Sequence, residues 1–228
     1  MKTVFESGNY RLAYFGHGLV RGYLALDRDR AVLIDTGLAG QRPEIEAGLE
    51  GRRLEAILLT HGHIDHAGNV YWLKQRYGAP VYAHPAEQAH IDQVYPYRGS
   101  SRLCGWVEAL AAWWEGYQPA TIDEPLKDAQ ELPLWGGLEV IHLPGHTLGH
   151  CGFYSRRHRL LLAGDLYACY LGQASRPPFF FNSEAELLPA TYRRAAGLPF
   201  EHVFPCHWLA TRPERLAPAL RQALVKWL

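Results

Sequence analysis

The sequence predicts an α/β domain, and three observations carry that prediction. Apolar runs of strand length alternate with segments of helical period, the run at 54–59 and the segment at 67–77 being the clearest pair. Helix punctuation falls where such units need it, with Pro43 and Pro85 placed to begin helices and Gly78 placed to end one. At 228 residues and 48% hydrophobic content, the chain suits one domain with a sizeable core.

Taken in order, residues 4–5, 10–15, 22–26 and 31–34 read as short strands of a meander, the last running into Asp35-Thr36-Gly37. A helix from Pro43 to about Gly48 leads to the central strand at 54–59. A helix at 67–77, a strand at 80–83 and a helix at 87–93 follow. Residues 95–124 look least like a repeated strand–helix unit and are expected to form a helical, aromatic-rich insertion within one domain spanning 1–228. There Trp106, Val107, Leu110, Trp113 and Trp114 fall at i, i+1, i+4, i+7 and i+8, one apolar stripe on a helix. Trp106 and Trp113 are expected to pack that helix onto the core. Strands follow at 132–134, 138–143, 151–155 and 160–163, with Arg156-Arg157-His158-Arg159 as a solvated hairpin tip. Ser183 and Glu186 have capping-box spacing for a helix at 184–196, with Pro189 blurring its register. A last strand at 203–204 leads to His207, and Pro218 is expected to delay a C-terminal helix.

Charge narrows the classes of function. Twenty-three Lys and Arg balance 23 Asp and Glu, so the basic excess of a nucleic-acid binder is missing. The N-terminal ten residues have no apolar core of a secretory signal, and the run at 160–163 is too short to span a bilayer. The four cysteines show no CxxC spacing, which predicts reduced, buried thiols in a cytoplasmic protein with no membrane association.

One stretch, His61-Gly62-His63-Ile64-Asp65-His66, concentrates the chemistry. It sits in the turn between the strand at 54–59 and the following helix, where side chains open into a crevice. Gly62 and Gly68 allow the tight turns this needs. Neutral imidazoles and carboxylates suit zinc, with iron or manganese as alternatives. Spacing lets His61 and His63 reach one ion while Asp65 and His66 reach a second. Farther along, Asp165 follows an apolar strand and Gly164, where an unpaired carboxylate would be costly to bury and a cation would offset the cost.

HGHIDH resembles the HxHxDH signature of the metallo-β-lactamase fold hydrolases. Four further patches resemble that family in the same order: Asp35-Thr36-Gly37, Pro144-Gly145-His146-Thr147-Leu148-Gly149-His150, Gly164-Asp165 and Phe204-Pro205-Cys206-His207. The resemblance covers about residues 20–210 and points to the glyoxalase II and lactonase-like branch. It implies a four-layer αββα sandwich with two divalent metal ions, zinc foremost, at one edge between two sheets. By the same resemblance His61, His63 and His146 hold one ion, Asp65, His66 and His207 hold the other, and Asp165 bridges them. The implied activity is hydrolysis of a small carbonyl substrate (a thioester, lactone or other ester) by a metal-bridging hydroxide that Asp65 helps orient. Family members that act as β-lactamases usually lack the bridging aspartate. Two alternatives within the fold are an iron-dependent persulfide dioxygenase, which uses one metal, and a phosphodiesterase or nuclease. The filled second ligand set argues against the first and the neutral charge against the second.

Other residues receive expectations of their own. Asp35 is expected to hydrogen-bond a ligand or a loop amide. Tyr167, two residues after Asp165, is a candidate donor to a developing oxyanion. His150 is expected to be structural, and His17, between two glycines, is a weak candidate for the cleft. Around the last ligand the family often has Gly-His-Gly, whereas this chain has Cys206-His207-Trp208, so the local backbone must differ and Trp208 is placed to shape the pocket. Phe179, Phe180 and Trp114 are expected to wall an apolar pocket beside the metals, favouring substrates with a hydrophobic acyl or ring portion. A homodimer interface is the competing use for those rings.

Overall fold

The computed structural model of the chain describes residues 1–94, 97 and 101–228. Its first half builds a seven-stranded sheet in the order β1 to β7. β1 (Lys2–Ser7), β2 (Tyr10–Phe15), β3 (Gly22–Asp27) and β4 (Arg30–Ile34) form an antiparallel meander. β5 (Arg53–Leu58), β6 (Val81–Ala83) and β7 (Glu124–Pro125) extend it in parallel. The switch to parallel pairing demands crossovers, supplied by α1 (Arg42–Leu49), then by α2 (Ile64–Ala67) with α3 (Val70–Tyr77). After β6 come α4 (Gln88–Ile91) and α5 (Arg102–Glu115). The second sheet runs β12–β11–β10–β9–β8, with β13 (His202–Leu209) on the other edge of β11 (Leu160–Tyr170). Its remaining strands are β8 (Glu131–Leu132), β9 (Leu138–His142), β10 (Cys151–Ser155) and β12 (Gln173–Ser175). α6 (Leu188–Ala196) and α7 (Pro213–Trp227) complete the chain.

Strand alternation sorts the apolar residues into two cores. Tyr23, Ala25, Val32, Ile34, Ala56 and Leu58 face inward against Val140, Phe153 and Leu162 of the other sheet. Their neighbours Leu24, Leu26, Leu33 and Ile57 face the opposite way, onto Ile45 and Leu49 of α1 and Val70 and Leu73 of α3. Because both faces are covered, these strands read as continuous apolar runs. α6 and α7 cover the outside of the second sheet through Tyr192, Ala195, Leu216 and Leu220. The layers are therefore helix, sheet, sheet, helix, as expected.

Local departures have local causes. The helix expected at 67–77 is two helices, broken at Gly68 and Asn69, where the Asn69 side chain turns back to donate to the Thr36 and Leu38 carbonyls. Gly78 ends α3 in the left-handed conformation, φ 64°. The Ser183 capping box does not form, because the Ser183 backbone and hydroxyl both donate to the His146 carbonyl. α6 starts instead at Leu188 with Pro189 in its first turn, where no amide donor is needed. α7 is not delayed by Pro218. It starts at Pro213 and carries Pro218 inside it.

The insertion corrects a larger expectation. The stripe on α5 does not pack onto the core: Trp106 and Trp113 are each 75% exposed and Trp114 77%. The buried side is Cys104, Gly105, Glu108 and Ala112. Of the wider aromatic stretch, Tyr95 lies outside the described residues.

Candidate metal centre

The cleft lies at the C-terminal ends of β4 and β5 and the middles of β11 and β13. β5 delivers Thr60 and His61, and the tight turn after it delivers His63 just before α2, whose first turn carries Asp65 and His66. His146 stands on the loop after β9, Asp165 within β11 and His207 within β13. Residues far apart in sequence thus meet where the ends of β4 and β5 face the irregular stretch of the β11–β13 pair around Gly164 to Ala168.

Of five groups of potential ligands among the described residues, three join the residues of HGHIDH to His146, Asp165 and His207: His61 with His63 and His146, His61 with His66 and Asp165, and Asp65 with His66 and His207. Within each, one donor atom per residue lies within 4.8 Å of the others. Asp165 joins the groups. Its carboxylate is 3.4 Å from His146 Nε2, 3.4 Å from His66 Nε2 and 3.1 Å from His207 Nε2. Asp65 Oδ2 is 3.4 Å from His207 Nε2 and 3.6 Å from His66 Nε2.

The far side of each imidazole decides what its near side can do. His66 Nδ1 donates to Asp35 at 3.0 Å, His146 Nδ1 to Asn182 Oδ1 at 3.1 Å and His207 Nδ1 to the Leu19 carbonyl at 2.8 Å. His61 Nδ1 lies 3.1 Å from the Thr60 hydroxyl, which itself donates to Asp35. These bonds fix the tautomers and leave the Nε2 lone pairs facing inward. His63 is turned the other way, its Nδ1 3.1 Å from His146 Nε2 and its own Nε2 buried without a hydrogen-bond partner. His61 Nε2, His66 Nε2 and Asp165 Oδ1 are buried with no hydrogen-bond partner. Such orphaned acceptors are costly unless a cation takes them up. The donor set therefore fits divalent metal.

Electrostatics agree. Burial, then crowding by neighbouring imidazoles, pushes His61 and His63 well below the ordinary histidine range, so both are neutral and ready to ligate. Burial would also lower His66, but Asp65, Asp165 and Asp35 overcome it and hold the group up to about 9. Burial likewise opposes protonation of His207, yet Asp165 and Asp65 raise it well above its usual value. Positive charge is wanted on that side of the cleft.

Two carboxylates scaffold the site. Asp35 accepts from the Thr60 amide and hydroxyl, both at 2.8 Å, from His66 and from the Cys206 thiol at 3.0 Å, while its backbone sits at φ 54°. That left-handed conformation is unfavourable for a non-glycine residue and persists because four donors fix the side chain. Cys206 is thus a buried thiol bonded to Asp35, and Trp208 donates its indole N–H to Tyr23, away from the cleft. Glu87 is fully buried and ties the two ligand loops together, accepting from Gly62 N at 2.7 Å and Gly149 N at 2.8 Å. A Cβ on Gly62 or Gly149 would fall within 3 Å of the segment carrying Glu87, so both positions need glycine. Burial pushes the Glu87 carboxyl up to about 7 against the pull of those amides. The sequence gives no signal for Glu87 or Asn182, since each acts across the fold.

A sequence profile described as the metallo-beta-lactamase superfamily matches residues 18–207. The chain belongs to that superfamily. The probable metallo-hydrolase YybB of Bacillus subtilis is 32% identical over 151 residues, which are 65% of this chain and 62% of that relative. Hydroxyacylglutathione hydrolase GloC of Haemophilus influenzae is 27% identical over 61% of this chain and 62% of its own length. The chain thus spans less than two thirds of these two relatives. Among solved structures, a superfamily protein from Thermus thermophilus superposes with a TM-score of 0.74 at 22% identity, covering 96% of this chain and 78% of that one. The metallo-beta-lactamase GOB-18 of Elizabethkingia meningoseptica gives 0.67 at 22% identity, over 100% and 89%. At those identities the shared property is the fold.

Within this member of the superfamily, all seven residues read as ligands converge. Other expectations fare differently. His150 is structural, as expected: it accepts from the Asp165 amide at 2.9 Å and its Nδ1 donates to the Leu143 carbonyl. His17 is exposed and paired with Glu44, outside the cleft. Tyr167 is buried and its ring lines the cleft, but its hydroxyl donates to the Leu216 carbonyl at 3.4 Å on α7, so the hydroxyl is turned from the position an oxyanion donor needs. Tyr170 also lines the cleft, close enough to His207 and Asp165 to feel their charges. The cleft encloses about 460 Å³. Phe181, Pro177, Leu19 and Val107 wall it, while Phe179, Phe180 and Trp114 do not. The short 3₁₀ turn Phe179–Phe181 points its third ring inward and leaves Phe179 71% exposed. Among the described residues no helix is long and apolar enough to cross a membrane, and all four cysteines are free and buried.

Proposed function

We propose that this chain is a two-metal hydrolase of uncharged carbonyl substrates (lactones, esters or simple thioesters) carrying an apolar acyl or ring portion. The observation that carries this reading is the position of Asp165, in reach of both histidine groups, at the floor of a cleft whose lining includes no lysine or arginine among the described residues. His61, His63 and His146 would hold one ion and Asp65, His66 and His207 the other, with Asp165 between them. The ions, zinc foremost, supply the charge that acidifies a water and polarises a carbonyl. Asp65, on the open side of the group, orients the nucleophile by accepting its hydrogen bond. Tyr170, in the cleft lining, would donate to the substrate oxygen as charge develops there. Phe181, Leu19 and Val107 bind the apolar portion and exclude water, strengthening every charge interaction inside.

The relatives named hydroxyacylglutathione hydrolase support the reaction class. Their named substrate carries two carboxylates on its glutathione moiety, and the described lining of the cleft offers no fixed cation to meet them. A neutral substrate suits the lining better. The free cysteines suit a cytoplasmic setting.

The test pairs elemental analysis of metal-loaded protein with turnover of γ- and δ-lactones of increasing chain length, acyl thioesters, a hydroxyacylglutathione and a phosphodiester. Two metal equivalents per chain, and kcat/KM rising with acyl length, are expected. One equivalent that added zinc or manganese does not raise would remove the two-ion reading. A preference for the glutathione thioester or the phosphodiester would remove the neutral-substrate reading.

A further inference from the structure

The outer face of α5 is the largest feature the metal centre leaves unexplained. Leu103, Trp106, Val107, Leu110, Trp113 and Trp114 are between 52% and 77% exposed on this one helix. Three indoles and three aliphatic side chains at that exposure present on the order of 700 Å² of apolar surface, given about 150–250 Å² per aromatic residue. A monomer's largest apolar patch is typically about 300–600 Å², whereas a stable interface takes about 800 Å² from each partner. Phe179, on the 3₁₀ turn that packs beside α5, is 71% exposed and enlarges the patch.

Spacing says what fits it. Leu103, Trp106, Leu110 and Trp113 stand at i, i+3, i+7 and i+10, the seam that one helix presents to another. Beside the seam a groove of about 340 Å³, lined by Tyr97, Arg102, Gly105, Trp106 and Ala109, offers a recess for an incoming side chain. The charge pattern does not suit an anionic lipid surface, which calls for lysine or arginine along the helix flanks. The charged residues of α5 are Arg102 at its start, Glu108 buried beneath it and Glu115 at its end, where it accepts from the Ala39 amide. A helix carrying both seam and recess complements a copy of itself, and a two-fold axis closes such a pair.

We propose that this face is the contact of a homodimer in which α5 packs against α5 of a second copy. The interface backs directly onto the cleft. Val107 and Glu108 of the same helix line it, and Glu108 accepts the Ile64 amide at 3.1 Å at the start of the metal-bearing turn. Covering α5 on the outside therefore steadies the wall that faces the substrate. This inference is independent of the reaction proposed above.

Sedimentation equilibrium of the metal-loaded full chain, from about 1 to 100 μM, reads the mass directly, these bounds bracketing a typical interface of this size. Twice the chain mass is expected at the upper end. The double variant W106E/W113E, with wild-type far-UV circular dichroism and metal content, is expected to raise the dissociation constant at least about 100-fold, as removal of central aromatic anchors does. Acrylamide quenching of wild-type tryptophan fluorescence needs no variant, and is expected to increase on dilution as the indoles are uncovered. A single-chain mass at about 100 μM, or a dimer that persists in W106E/W113E, would overturn the proposal. So would a monomer that floats with phosphatidylcholine vesicles, which would assign the face to lipid.

Discussion

At the floor of the cleft His61, His66, His146 and His207 are held from behind, by Thr60, Asp35, Asn182 and a carbonyl, and the free nitrogen of each faces inward. On the outer side of α5, one helix away, large apolar rings stand in solvent. The two regions fail in opposite ways when incomplete. Buried acceptors without a cation are costly because nothing replaces their water. Exposed apolar rings are costly because water is not excluded from them. Each region is half of a contact, one shaped for ions and the other for an apolar face. A single helix couples them, since Glu108 reaches from α5 to the turn that carries His63 and Asp65.

The sharpest way to break the comparison is at the residue shared by the histidine groups. Asp165→Asn keeps size and removes charge, and kcat on the best substrate is expected to fall about 10²–10³-fold or more, as when a charge-stabilising group is lost. The same is expected of Asp65→Asn, with the fold unchanged by circular dichroism. Near wild-type kcat with metal bound would refute the roles given to these carboxylates. Next in size is the support behind a ligand. Asp35→Asn cannot accept from His66, Thr60 and Cys206 at once, and metal affinity measured by competition with a chromophoric chelator is expected to weaken about 10–100-fold.

Glu87→Ala probes stability rather than binding chemistry. It strands the Gly62 and Gly149 amides in a buried place, which costs about 1–3 kcal/mol for each. A drop in Tm of several degrees, with metal affinity reduced because the two loops are no longer tied, is the expected result. An unchanged melting curve would mean that water satisfies both amides. The smallest effect separates the two faces of one turn. Phe181→Ala removes part of the cleft wall, and KM for a long-chain lactone is expected to rise several-fold, consistent with about 1 kcal/mol of half-buried ring. Phe179→Ala is expected to leave KM unchanged. Equal effects on KM would mean the turn orients its rings differently in the working protein.

The candidate ligands were legible in the sequence because metal chemistry restricts residue type: few patterns besides HGHIDH place so many side chains able to ligate a metal at a strand end. The layers were legible because strands buried on both faces, such as Arg30–Ile34 from Ala31 onward, need apolar residues, and composition records burial. Tertiary structure alone decided the rest. The stripe on α5 has the spacing of a core-facing helix, and periodicity says that a face is apolar without saying which way it turns. Burial of Cys104, Gly105, Glu108 and Ala112 on the opposite side is a packing outcome, set by the fit of small residues over the metal turn and by the pairing of Glu108 with Ile64 and Tyr97. The same holds for Tyr167 and Tyr170, three residues apart on β11. Sequence puts both near Asp165 and both rings line the cleft, but only the packing against α7 commits the Tyr167 hydroxyl to the Leu216 carbonyl. Glu87 and Asn182 were invisible for a related reason: a supporting hydrogen bond can come from any element that passes within about 3 Å, so nothing in local sequence marks the residue that provides it.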